Sequence, residues 1–78
     1  MTYSIEWLNR HHLNPIFKCF QRRADGTFQL ARVDKSVTLR VQTNRIEAVS
    51  NGKCAVFVAD EVRNPYFAEW RMESFEDA

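Results

Sequence analysis

The chain has only two glycines in 78 residues, and each sits in a turn signal, Asp25-Gly26 and Asn51-Gly52. Glycine reaches positive φ without steric cost, and Asn-Gly is the commonest pair in a tight hairpin turn. Both dipeptides therefore read as points where one strand folds back on another. The stretch "RIEAVSNGKCAVFVAD" gives a hairpin about Asn51 and Gly52. Its return strand, residues 54–59, is apolar on both faces and is expected in the middle of a sheet.

Around Gly26, in "IFKCFQRRADGTFQLARV", two registers compete. A two-residue turn pairs Phe20 with Ala31 and Arg23 with Phe28, which mixes core and surface side chains on one face. A three-residue loop over 24–26, with Gly26 at positive φ after a type I turn, pairs Phe20 with Leu30, Cys19 with Ala31 and Phe17 with Val33. The second register is the expected one. It makes both faces of the hairpin apolar, which calls for a curled sheet. "SVTLRVQT" then alternates, with Val37, Leu39 and Val41 inward and Thr38, Arg40 and Gln42 outward.

The stretch "NPYFAEWRMESFEDA", residues 64–78, admits a helix or a strand. A helix places Glu76 and Asp77 at the negative end of its dipole, where carboxylates are disfavoured. A strand puts Ala68, Trp70 and Met72 on one face and Glu69, Arg71 and Glu73 on the other, and it is the reading chosen, after a turn at Asn64-Pro65. Residues 3–13 read as a short helix from the spacing of Ile5, Leu8 and His12, ended by Asn14-Pro15, with a strand over 3–8 as the alternative. The expected fold is α+β, mainly β: about five antiparallel strands in a curled sheet or half-open barrel with one short N-terminal helix, forming a single domain over 1–78. The candidate core is Phe17, Phe20, Leu30, Val37, Leu39, Val41, Ile46, Val56, Val58 and Trp70.

Chemistry-bearing motifs are scarce. His11, His12, Cys19 and Cys54 form the one conceivable metal set, but no C-x-x-C or H-x-x-x-H spacing is present, so neither metal nor cofactor is expected. The two cysteines do not suggest a disulfide framework. No nucleophile elbow or glycine-rich phosphate loop occurs, and a chain of 78 residues leaves little room for both a core and a substrate cavity. A non-enzymatic protein is expected. No apolar run reaches membrane-spanning length and "MTYSIEW" lacks the form of a secretion signal, so the expectation is a cytoplasmic protein with no membrane partner.

The net charge of +1 hides a division. Up to Arg40 there are seven bases against three acids; from Val41 onward there are four bases against seven acids. Such asymmetry bears on partners more than on fold. Two binding classes follow. In the first, Tyr66, Trp70 and Phe75 anchor a protein partner, rimmed by Glu69, Glu73, Glu76 and Asp77, which also oppose a groove that would otherwise take a phosphate backbone. In the second, Arg22, Arg23, Lys35 and Arg40, with Lys18 and Arg32 nearby and Phe17, Phe20 and Phe28 between them, bind a nucleic acid as small β-barrels do. A homodimer pairing strands of the tail is a third arrangement, so the chain is expected as monomer or homodimer.

In its small size, its lack of catalytic motifs and its charged aromatic stretch "YFAEWRMESFEDA", the chain resembles the accessory proteins that bacteriophages carry against host machinery, anti-CRISPR proteins among them. That resemblance implies an inhibitor acting in the host bacterial cytoplasm on a host protein or ribonucleoprotein, such as a CRISPR surveillance complex, by occluding its nucleic-acid site.

Overall fold

The computed structural model describes residues 6, 7, 10 and 13–78. Within them Glu6, Trp7 and Arg10 are helical and Leu13 lies in a turn. The rest of the expected N-terminal helix, with Ile5, Leu8, His11 and His12, lies outside the described residues.

The first departure from expectation follows at Asn14-Pro15. Rather than only closing a helix, this pair opens a second one. Pro15 is already helical at φ −56°, the Asn14 side-chain oxygen accepts from the Ile16 N–H at 3.0 Å, and a single turn of helix, α1 (Ile16–Cys19), follows. Proline tolerates the first helical turn because its missing N–H has no partner there anyway. Ile16 and Cys19, three apart, both point into the core. The expected strand over 16–19 is therefore a helical turn, and the predicted Phe17–Val33 pair does not form: Phe17 packs beside Phe28 and Phe75 while Val33 is exposed.

Strand β1 (Phe20–Arg22) leaves α1 directly and pairs with β2 (Phe28–Leu30). Phe20 opposes Leu30 and Arg22 opposes Phe28, the register of the three-residue loop, with Gly26 at φ +91° and Ala31 N–H donating to the Cys19 carbonyl at 2.6 Å. Only one face of this hairpin is apolar, because Gln21 and Gln29 fill the other. A Cβ at Gly26 meets only the Arg22 guanidinium at 3.7 Å, an ordinary contact, so Gly26→Ala adds backbone strain alone. We expect it to cost about 1–2 kcal/mol in urea unfolding.

The second sheet has the order β3 (Thr38–Gln42), β4 (Arg45–Ser50), β5 (Lys53–Val58), β6 (Arg71–Asp77), all antiparallel. Asn51 and Gly52 both take positive φ, as a tight hairpin turn of this class requires, and β5 is central as expected. β3 is an edge strand. Val37 is buried, but the sheet overhangs the core toward the far end of β3 and Val41 is 52 % exposed, a correction to the expected core.

The two sheets meet at Phe28 and Trp70, which exchange backbone hydrogen bonds at 2.7 and 3.0 Å immediately before β6 begins. Phe20 stacks on Phe57 with centroids 3.9 Å apart, and Phe28 meets Phe57 edge-on. The small sheet thus lies over the inner face of the large one, and the two do not close into a barrel. Ser50, the one buried polar side chain among the described residues, donates to the Ser36 carbonyl at 2.8 Å.

Candidate protein-binding surface

The link from β5 to β6, residues 59–70, is held at several points. The Asn44 side-chain amide donates to the carbonyls of Ala59 and Asp60 at 2.8 Å each. Asn64 makes an Asx turn, its side-chain oxygen accepting from the Tyr66 N–H at 2.9 Å and its carbonyl from the Phe67 N–H at 3.0 Å. The Trp70 indole donates to the Pro65 carbonyl at 2.8 Å, which fastens the turn to the core. The turn therefore presents its tip outward: Tyr66 is 42 % exposed and Phe67 76 %.

Trp70 is fully buried, so it is the centre of the core and not a surface anchor. Phe75 is also withdrawn, for a reason strict alternation could not reveal. Between Met72, opposite Phe57, and Ser74, opposite Val56, Glu73 is an extra residue in β6. This bulge reverses the parity of the strand beyond it. Phe75 therefore joins Met72 on the inner face, where it packs against Trp7 at 5.1 Å and Phe17 at 5.6 Å, and Ser74 and Glu76 turn outward. The exposed aromatic that the pattern missed is Phe67, and the signal for it was Asn64-Pro65, which puts the next two residues at the tip of a turn.

The acids separate into two groups. Asp60 forms a two-pronged ion pair with Arg71 at 3.0 and 3.2 Å, Glu61 lies 3.5 Å from Arg63, and Asp77 pairs with Lys53. Glu69, Glu73 and Glu76 are exposed and have no ion pair among the described residues. Hydrogen bonding from Arg71, aided by its charge, holds the Asp60 carboxyl below its ordinary value of 3.8, and Lys53 does the same for Asp77. A carboxyl depressed on folding stabilises fully above that ordinary value and loses its contribution as pH falls through the lower folded one. We therefore expect Asp60→Asn to lower the melting temperature slightly at pH 7. The difference from the parent should fade as pH falls below the ordinary carboxyl value, and in high salt.

Between the loop and β6 lies an open concavity of about 570 Å³, lined chiefly by Asp60, Arg63, Phe67, Glu69 and Arg71. Its side chains suit ion pairing and apolar contact rather than nucleophilic chemistry. No group of three metal-ligating side chains occurs among the described residues. Cys19 is a free thiol in the core, its pKa raised by burial, while Cys54 is a free thiol on the outer face of the sheet.

The basic residues do not form one patch. Arg22 and Arg23 flank the tip of the first hairpin, half-buried and bonded locally: Arg22 reaches the Arg23 carbonyl at 3.4 Å, and Arg23 reaches the Thr27 hydroxyl at 3.5 Å. Lys35 is in the loop before β3, and Arg40 is on the outer face of β3. Lys18 and Arg32 both face Asp34. Phe20 and Phe28, needed as stacking faces for a nucleic acid, are core residues, and Phe17 is half-buried against them.

Compared with known proteins, the chain matches no family model, no curated protein and no solved structure. No helix among the described residues is long and apolar enough to cross a membrane.

Proposed function

We propose that the protein is a non-catalytic inhibitor that binds a macromolecular partner through the turn at Tyr66 and Phe67 and the outward acids Glu69, Glu73 and Glu76. The observation that carries this reading is the coincidence, on one short stretch, of a largely exposed phenylalanine with three exposed carboxylates that have no ion pair among the described residues. An apolar anchor followed along the chain by exposed carboxylates fits a partner surface with a small pocket beside lysines and arginines. Surfaces of that kind guide nucleic-acid backbones, and carboxylates placed there exclude phosphate. The target proposed is therefore a host nucleoprotein complex in the bacterial cytoplasm, with a CRISPR surveillance complex as the example that the resemblance to anti-CRISPR proteins supplies.

The test is affinity capture from a host bacterial lysate with and without nuclease, read by mass spectrometry. The expected result is one stoichiometric protein complex that survives nuclease. Recovery of nucleic acid, or of proteins that vanish with nuclease, would transfer the function to Arg22, Arg23, Lys35 and Arg40.

A further inference from the structure

The core uses one face of the four-stranded sheet, and the other face carries an apolar strip along β5, extended by Val49 on β4. Ala48, Ala55, Phe57 and Ala59 belong to the core cluster, so Val49, Cys54, Val56 and Val58, which alternate with them, point to the outer face and stand outside that cluster. Val56 is 8 % exposed in the single chain, and the other three are half-buried.

The strand register arranges this face in three rows. One runs Thr38, Val49, Cys54, Glu76; the next Arg40, Glu47, Val56, Ser74; the third Gln42, Arg45, Val58, Arg71. Most charges are already committed, since Glu47 binds Arg45 at 2.7 Å and Arg71 binds Asp60. The exceptions are Arg40 on the β3 edge and Glu76 on the β6 edge, neither of which has an ion pair among the described residues. The mutually paired Glu47 and Arg45 and the apolar strip of β5 thus separate an unpaired cation on one edge from an unpaired anion on the other.

We propose that this face docks on a second copy of the chain, sheet against sheet, about a two-fold axis parallel to the strands. Rotation about that axis lays β3 of one copy over β6 of the other and β4 over β5, with each row facing itself. Arg40 then sits over Ser74 of the second copy, one two-residue strand repeat, about 7 Å, from its Glu76. Symmetry makes the contact twice; Val49 lies over Cys54 of the second copy, and Val56 and Val58 flank the axis over its mutually paired Glu47 and Arg45. A two-fold axis across the strands instead stacks β3 on β3 and sets like charges on like edges, so the charges choose between the axes. Four strands about 4.8 Å apart and five to six residues long give a footprint on the order of 400 Å² per copy. That is well below the roughly 800 Å² per partner of a standard interface, so the dimer is weak and forms only at high protein concentration.

This inference does not rest on the partner reading, because it concerns the purified chain alone. Sedimentation equilibrium between about 1 µM and 1 mM should show the mass rising with concentration from the 9.2 kDa of the monomer toward twice that value. Arg40→Glu and Glu76→Arg should each weaken association at least tenfold, and the double variant should restore it. Both positions are exposed, and circular dichroism checks that each variant folds. Val49→Lys should abolish the dimer. A monomer at every concentration overturns the proposal. So does a dimer that ignores the charge swaps, since it would use another face.

Discussion

Trp70→Ala is expected to lower the melting temperature by roughly 15–30 °C. The side chain is fully buried, its indole N–H holds the Pro65 carbonyl, and its backbone joins the two sheets through Phe28. Truncating a buried tryptophan costs about 3–5 kcal/mol. A domain of this length has about 4–12 kcal/mol of total stability, and each kcal/mol is about 4–8 °C at this size. Trp70→Phe retains most of the packing and loses the hydrogen bond, so it should cost only about 1–2 kcal/mol. A phenylalanine variant as unstable as the alanine one would show that the indole N–H, and not the buried area, holds the sheets together.

Phe67→Ala should behave in the opposite way. Its side chain is largely exposed, so folding stability should stay within about 0.5 kcal/mol of the parent. Affinity for the captured partner should fall by about thirtyfold, the effect of removing one anchoring aromatic worth about 2 kcal/mol. Tyr66→Ala should have a smaller effect, since Tyr66 is less exposed and its carbonyl, which the Gln29 side chain approaches at 3.4 Å, is retained. Equal affinity of the Phe67→Ala protein and its parent would remove the anchor from the account.

The strands near the two glycines were legible because local chemistry decides them. Positive φ at Gly26, Asn51 and Gly52 sets both hairpin registers, and the apolar run 54–59 marks β5 as central. Two features escaped the pattern. The run 16–20 is apolar enough for a strand, and its helical turn is opened by the Ile16 N–H donating to the Asn14 side chain and held by backbone bonds from Phe17 to Asn14 and from Lys18 to Pro15. The bulge at Glu73 depends on how β6 must meet both Phe57 and Val56, a long-range requirement that no short window contains. The bulge is also why the candidate site was only partly legible. Glu69, Glu73 and Glu76 are legible as an acidic rim, and alternation sets Trp70 with Ala68 and Met72 in the core, which rules it out as the surface anchor it is also read as, but alternation leaves Phe75 outside. Asp77 was grouped with these acids although the β5–β6 register sets it beside Lys53.

The account rests on the claim that the turn at Phe67 and the exposed carboxylates Glu69, Glu73 and Glu76 meet a protein partner. Its most direct test is the binding rate and affinity of the nuclease-resistant complex for the parent protein and for the triple variant Glu69→Lys, Glu73→Lys, Glu76→Lys, at low and at physiological salt. We predict that association of the variant slows more than tenfold at low salt and that the gap narrows as salt screens the charges. Association of the folded variant at the parent's rate in both conditions would contradict the claim.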